Sequence, residues 1–278
     1  MHLFVDNLTN VDFSYLHAER GLLGETWLAH VQLDGALDHQ GMVCDFGVVK
    51  KTLRQWLDTE LDHRLAIPVH SPNLSLTEEG DSLDIRWRYG QDRELHCRSP
   101  RQAIALVEAE SLTSETVAQW CIAKLTPLFP DSIDQLTLSF TPENIDGNYY
   151  HYSHGLKKHA GNCQRIAHGH RSRITIWKDG QRAEALEAQW ASRWEDIYIG
   201  TREDVISDDD GKYQFAYRTS QGEFALSLPS SCCYLIDTDS TVEFIANHIA
   251  GELKKDHPHS HIRVRAFEGI GKGAMVEL

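Results

Sequence analysis

No stretch of this 278-residue chain stays apolar long enough to cross a bilayer. The opening Met1-His2-Leu3-Phe4-Val5-Asp6 lacks the charged, then apolar, pattern of a secretory leader. The six cysteines, Cys44, Cys97, Cys121, Cys163, Cys232 and Cys233, form no CxxC pair and no disulfide-framework spacing. These absences set the expectation of a cytoplasmic protein with free thiols. Excess positive charge is missing too. With 27 Lys and Arg against 41 Asp and Glu, the net charge is −14, which argues against a general nucleic-acid or anionic-membrane surface. A small anionic substrate needs only a local basic pocket and stays open. The length suits one large domain or two modest ones, and a hydrophobic fraction of 41% is ordinary for a globular core.

What is present is histidine beside a thiol. Cys163-Gln164-Arg165-Ile166-Ala167-His168-Gly169-His170 runs into Ser172-Arg173-Ile174-Thr175-Ile176-Trp177, a strand-like segment closed by the turn signal Asp179-Gly180. Side chains alternate faces along a strand, so His168 and His170 point the same way and can share one metal ion. His154, in Tyr152-Ser153-His154-Gly155, is a third candidate ligand from a neighbouring strand. Three imidazoles and one open position are what a catalytic zinc requires. A lone His-x-His pair in a chain with 16 histidines also arises by chance on a solvated strand, so the rest of the chain has to decide.

An internal repeat organises that rest. At an offset of 128 positions, Thr113-Ser114-Glu115-Thr116-Val117-Ala118 falls on Thr241-Val242-Glu243-Phe244-Ile245-Ala246, and Pro130 falls on Pro258. Both copies read as a helix opened by a threonine cap with an early glutamate, then a proline-bearing loop, then a strand. Upstream, Ile104-Ala105-Leu106-Val107 overlies Cys232-Cys233-Tyr234-Leu235, and each copy carries a hairpin arm, Asp84 to Tyr89 and Tyr213 to Tyr217. Two homologous domains are expected, residues 1–148 and 149–278. The copies are not equivalent. Phe13-Ser14-Tyr15 stands against Tyr152-Ser153-His154, and Leu23-Gly24-Glu25 against His168-Gly169-His170, so copy one lacks every candidate ligand and the thiol. It keeps Asp62-His63 after an amphipathic helix from Val48 to Leu57, whereas the matching helix near Ala183 to Trp194 is shorter and has no such pair.

Together these residues resemble the family of 6-pyruvoyl-tetrahydropterin and 6-carboxytetrahydropterin synthases. The resemblance rests on His154, on Cys163 with His168-Gly169-His170, on Met42-Val43-Cys44-Asp45-Phe46, and on Leu61-Asp62-His63. It is completed by Leu112-Thr113-Ser114-Glu115, Ser240-Thr241-Val242-Glu243 and Phe267-Glu268, and it spans nearly the whole chain as two family domains in tandem. Neither second-helix motif has the family's proline. Four residues separate the thiol from His168, where bacterial members often have three.

The resemblance implies an α+β tunnelling fold, each copy a four-stranded antiparallel sheet with two helices, and several chains closing a barrel as a homo-oligomer. It implies a lyase acting on 7,8-dihydroneopterin triphosphate, with Zn2+ held by His154, His168 and His170. Cys163 would be the base, Asp62 and His63 a proton relay, and Glu268 the anchor for the pterin ring. Thr113, Glu115, Thr241 and Glu243 would line the pterin site or merely cap helices. Lys157, Lys158, Arg165 and Arg171 are candidate partners of the triphosphate, or solvated cations. Because the copies have lost complementary parts, one composite site per chain is expected. The favoured activity is that of a 6-carboxytetrahydropterin synthase, serving queuosine-type deazapurine synthesis. A 6-pyruvoyl-tetrahydropterin synthase and a non-catalytic pterin-binding or assembly protein are the alternatives.

Overall fold

The computed structural model describes all residues from Met1 to Leu278. Copy one comprises β1 (His2–His17), β2 (Gly21–Gly35), α1 (Phe46–Glu60), β3 (Leu65–Pro68), β4 (Leu74–Glu79), β5 (Ser82–Tyr89), β6 (Arg93–Pro100), β7 (Ile104–Val107), α2 (Ser114–Leu125) and β8 (Ile133–Pro142). Copy two repeats the order with β9 (Tyr149–His154), β10 (His168–Lys178), β11 (Gln181–Arg182), α3 (Glu184–Arg193), β12 (Ile197–Thr201), β13 (Val205–Asp209), β14 (Lys212–Thr219), β15 (Gly222–Pro229), β16 (Cys233–Ile236), α4 (Val242–Asp256), β17 (Ile262–Phe267) and β18 (Gly273–Glu277). The repeat is therefore structural, with a drift in register. Ile104 pairs with Leu65 as Cys233 pairs with Tyr198, so β7 corresponds to Cys233–Ile236, one residue later than the uniform offset of 128 predicts. No helix is long and apolar enough to cross a membrane, and all six cysteines are free.

The α+β content is as expected, but the sheets depart from four antiparallel strands. Copy one forms a five-stranded sheet in the order β7-β3-β1-β2-β8, and copy two the order β16-β12-β9-β10-β17-β18 with β11 beside β10. The β1-β3, β3-β7, β9-β12 and β12-β16 pairings are parallel. The cause is the chain path: β3 and β12 return after a helix and add to the sheet edge in the direction of the first strand. A third, six-stranded sheet, β13-β14-β15-β6-β5-β4, takes its strands from both copies and is joined where β6 meets β15 at Cys97↔Leu226.

Each layer buries its own core. Leu53, Leu57, Val117, Cys121 and Leu125 of α1 and α2 pack on Phe13, Trp27, Val31 and Leu138. Ile245, Ile249 and Leu253 of α4 pack on Tyr152, Ile174, Ile176 and Val264. Trp87, Ile85 and Leu95 of one copy meet Phe215, Phe224 and Leu226 of the other in a shared core under the third sheet. Burying that common core ties the copies into one unit, because separating them would expose apolar side chains of both.

The main sheets also touch, backbone against backbone. A Cβ on Gly24 would lie 1.8 Å from the Tyr152 carbonyl oxygen, and one on Gly169 would lie 2.3 Å from it and 2.6 Å from the Gly24 Cα. Beside them the buried hydroxyls of Ser14 and Ser153 share a hydrogen bond of 2.7 Å. The alternation that turns His168 and His170 to one face thus turns Gly169 to the crossing, where no larger residue fits.

Candidate functional site

His154 ends β9 and His168 opens β10, and the two residues face each other across the ladder. His170 follows on the same face, and all three are fully buried. One ring nitrogen from each lies within 4.8 Å of the others. The Nδ1 of His154 is 3.0 Å from both the carbonyl and the hydroxyl of Ser240, and the Nδ1 of His168 is 3.0 Å from the Arg165 carbonyl. A carbonyl only accepts, so these rings carry their proton on Nδ1 and leave Nε2 as a lone pair. The Nε2 atoms of His154, His168 and His170 are buried without any hydrogen-bond partner. Such orphaned acceptors are costly unless something fills the point between them, and a divalent cation is the group that three converging imidazoles accept. Burial first, and then neighbouring imidazoles, hold His154 and His168 well below the ordinary histidine range, so both stay neutral as ligands must. The donor set fits a metal ion.

Copy one supplies the next group. Asp62 and His63 follow the end of α1, where His63 adopts a left-handed backbone with φ of 55°. That conformation is uncommon outside glycine, although Asn, Asp and His enter it most readily. Here it is held by the His63 amide donating to the Asp12 carbonyl at 2.6 Å. The Asp62 carboxylate accepts from the Asp12 amide through Oδ1 at 2.8 Å and contacts His63 Nδ1 through Oδ2. The His63 ring then lies 5.1 Å from that of His168 and 6.3 Å from that of His170, centroid to centroid. Burial opposes its charge, but Asp62 and Cys163 outweigh burial and raise its pKa to about 10. Both neighbours favour the protonated form of the ring, the form that can donate a proton.

Cys163 sits in a short 3-10 turn, Asn162–Gln164, half-buried. Its Sγ falls with nitrogens of His63 and His168 in a second group of ligand atoms lying within 4.8 Å of one another. The structure therefore gathers His154, Cys163, His168 and His170 from one copy with Asp62 and His63 from the other. Glu268, just past β17, reaches the same place, its Oε1 3.7 Å from His170 Nε2.

The helix-start residues behave differently. Thr113 caps α2 by accepting from the Thr116 amide, and Thr241 caps α4 by accepting from the Phe244 amide. Glu115 and Glu243 are exposed in the first turns of those helices. Capping is the contact seen for the threonines, and Thr241 adjoins Ser240, the partner of His154. Of the four candidate cations, Lys157 pairs with Asp204 and Glu203, Lys158 with Asp239, and Arg171 donates to the Glu143 carbonyl. Arg165 is buried at the seam, with Nη1 3.4 Å from the His63 carbonyl and Nε bonded to Gln221. The four-residue spacer after the thiol thus provides both a carbonyl for His168 and a guanidinium for the dyad's backbone.

Sequence reasoning missed Asp12 and Lys272. Asp12 is 1% exposed, its Oδ1 3.2 Å from His170 Nδ1 and its Oδ2 3.3 Å from Lys272 Nζ. Burial pushes the Asp12 carboxyl up, but His170 and Lys272 outweigh burial and hold it well below the usual carboxylate range. One signal was available: Asp12 is a lone charge between Val11 and Phe13, on the strand face it shares with Ser14. For Lys272 no comparable signal exists.

A sequence profile described as 6-pyruvoyl tetrahydropterin synthase matches residues 11–147 and again residues 147–277. A Pyrococcus horikoshii protein provisionally named 6-carboxy-5,6,7,8-tetrahydropterin synthase is 27% identical over 97 residues, covering 35% of this chain. The chain spans about half, 53%, of the length of that curated relative. Among solved structures, 6-pyruvoyl tetrahydropterin synthase of Plasmodium vivax aligns at 18% identity and a TM-score of 0.44, over 52% of this chain and 93% of its own. The Plasmodium falciparum protein of the same name aligns at 15% identity and a TM-score of 0.37, over 51% and 98% respectively.

Proposed function

The chain belongs to the 6-pyruvoyl tetrahydropterin synthase family, and from that premise we propose that it is a zinc-dependent lyase acting on 7,8-dihydroneopterin triphosphate. Of the family's activities we favour that of a 6-carboxytetrahydropterin synthase, in deazapurine (queuosine) synthesis within the cytoplasm. The name of the Pyrococcus horikoshii relative supports that choice. One observation carries the proposal: three buried imidazoles with unpartnered Nε2 atoms stand beside a thiol and an Asp-His pair from the other copy. On this reading the functional division falls between residues 1–148 and 149–278, and each chain has one composite site at their seam.

His154, His168 and His170 hold the ion, which when bound supplies a Lewis acid for the side-chain oxygens and acidifies the adjacent C–H bonds. Cys163 removes a carbon-bound proton, its Sγ standing within 4.8 Å of ring nitrogens of His63 and His168. His63, oriented by Asp62, donates to a side-chain oxygen. Glu268 accepts the paired N–H donors of the pterin ring, a planar match for a carboxylate. Thr113, Glu115, Thr241 and Glu243 line the ring's surroundings, the threonines also capping their helices. Several chains close their open sheet edges into barrels, which removes unpaired strands from solvent.

The test is to incubate zinc-loaded protein with 7,8-dihydroneopterin triphosphate and identify the products. Acetaldehyde, triphosphate and a 6-carboxypterin are expected. A 6-pyruvoyl product would reassign the activity within the family, and tight pterin binding without turnover would make the protein a binder. Light scattering that finds only single chains would overturn the barrel.

A further inference from the structure

An imidazole that binds a metal through Nε2 carries its proton on Nδ1, and the group at Nδ1 fixes both tautomer and ring orientation. His154 and His168 draw that group, Ser240 and the Arg165 carbonyl, from their own copy. For His170 it comes from copy one. We propose that Asp12 is the positioning residue for His170, so that the metal site of copy two is completed by a carboxylate from copy one. This rests on the reading that the three histidines hold a metal.

The geometry supports it from both ends. The Nδ1 to Oδ1 separation of 3.2 Å is an ion-pair contact rather than an aligned hydrogen bond, and both His170 nitrogens are unpartnered. Contacts at such sites tighten when the site fills. The carboxylate itself is fixed: Thr26 Oγ1 donates to Oδ1 at 2.6 Å, and Asn10 Nδ2 and Lys272 Nζ each reach Oδ2 at 3.3 Å. Its backbone holds the dyad, donating to Asp62 and accepting from His63. Asp12 therefore joins the third ligand to the proton relay across the seam. Lys272, with Nζ 3.3 Å from Oδ2, balances the charge of the buried carboxylate.

The test compares metal-free parent, Asp12→Ala, Asp12→Asn and Lys272→Met proteins by chelator competition for Zn2+ and by the visible absorption of Co2+ bound in its place. Loss of an outer-shell carboxylate weakens metal binding by roughly 10- to 100-fold, so Asp12→Ala falls in that range and Asp12→Asn at its lower end. The Co2+ bands shift in both, reporting a reoriented ligand. Lys272→Met, which removes the ion pair but not the His170 contact, weakens Zn2+ binding less than Asp12→Ala does and leaves the Co2+ bands unchanged. If Lys272→Met weakens binding as much as Asp12→Ala, the role is charge balance and the proposal fails. Should Asp12→Ala not fold, Asp12→Asn carries the test because it keeps the side-chain volume. A parent that takes up no Zn2+ overturns the reading of the histidines. A parent that binds one Zn2+ while the Asp12 variants bind it equally tightly, with unchanged Co2+ bands, overturns the role of Asp12.

Discussion

The same frame occurs twice in this chain, and the two loci differ at every position that matters chemically. Where copy two has His154, His168 and His170, copy one has Tyr15, Leu23 and Glu25, all buried. Where His63 sits with φ of 55°, the other junction has Asp196, also at 55°. Asp196 is closed off by Arg20, which grips it through Nε and Nη2 at 2.7 and 2.6 Å. Even the carboxylate–imidazole contact recurs with its partners exchanged: His151, at the position of Asp12, lies 3.8 Å from Glu25, at the position of His170. Burial pushes Glu25 up to about 7, Tyr15 up to about 12 and His151 down to about 4. The backbone therefore supplies the geometry twice, while side-chain chemistry makes one locus a metal-fitting pocket and the other a plug closed by an ion pair.

The largest effect should come from the reactive sulfur. Cys163→Ala is expected to lower turnover by about 10²- to 10⁴-fold while zinc content, measured by atomic absorption, stays at the parent's level. Tyr15→Phe at the other locus should change neither. Equal losses in both variants would erase the distinction between the loci.

Next comes the crossing that both loci share. Gly169→Ala and Gly24→Ala each drive a Cβ into backbone of the facing copy, at 2.6 Å from the Gly24 Cα and 1.8 Å from the Tyr152 oxygen respectively, and backbone cannot swing aside. Each should cost at least about 3 kcal/mol in urea unfolding. A parent-like midpoint would show that the sheets do not pack this closely.

Glu25→Gln probes the plug through pH. The folded carboxyl of Glu25 titrates near 7 against an ordinary value of 4.5, so between those values the folded state holds a proton that the unfolded state has lost. Stability then falls as pH rises from 4.5 to 7, and ionised Glu25 is a burden above 7. The glutamine variant should be more stable than the parent by on the order of 1–3 kcal/mol at pH 8, with the gain vanishing near pH 5. A gain independent of pH would mean that Glu25 is not buried in its acid form. Smallest of all, Arg20→Met breaks a partly exposed ion pair and should cost at most about 1 kcal/mol, leaving zinc content unchanged.

Much of this was legible in the residues, for identifiable reasons. Alternation along a strand put His168 and His170 on one face. The apolar spacing of α1 and the threonine caps of α2 and α4 marked the helices, because those signals are local. The shared third sheet was not legible, since the pairing of Cys97 with Leu226 joins residues far apart in sequence and leaves no periodic trace. The parallel returns of β3 and β12 were hidden for the same reason. Likewise, the one-residue drift at β7 and β16 belongs to register, which packing fixes.

Sequence alone determined that there are two copies, which copy carries the histidines and thiol, and which carries Asp62-His63, because identity and spacing are properties of the chain. Only the tertiary structure decided that these parts converge, that Gly169 is the contact point rather than a spacer, and that Asp12 stands at His170. Those facts arise where backbones from distant segments approach within a few ångströms, and the burial and partners that set each group's protonation exist only once they have met.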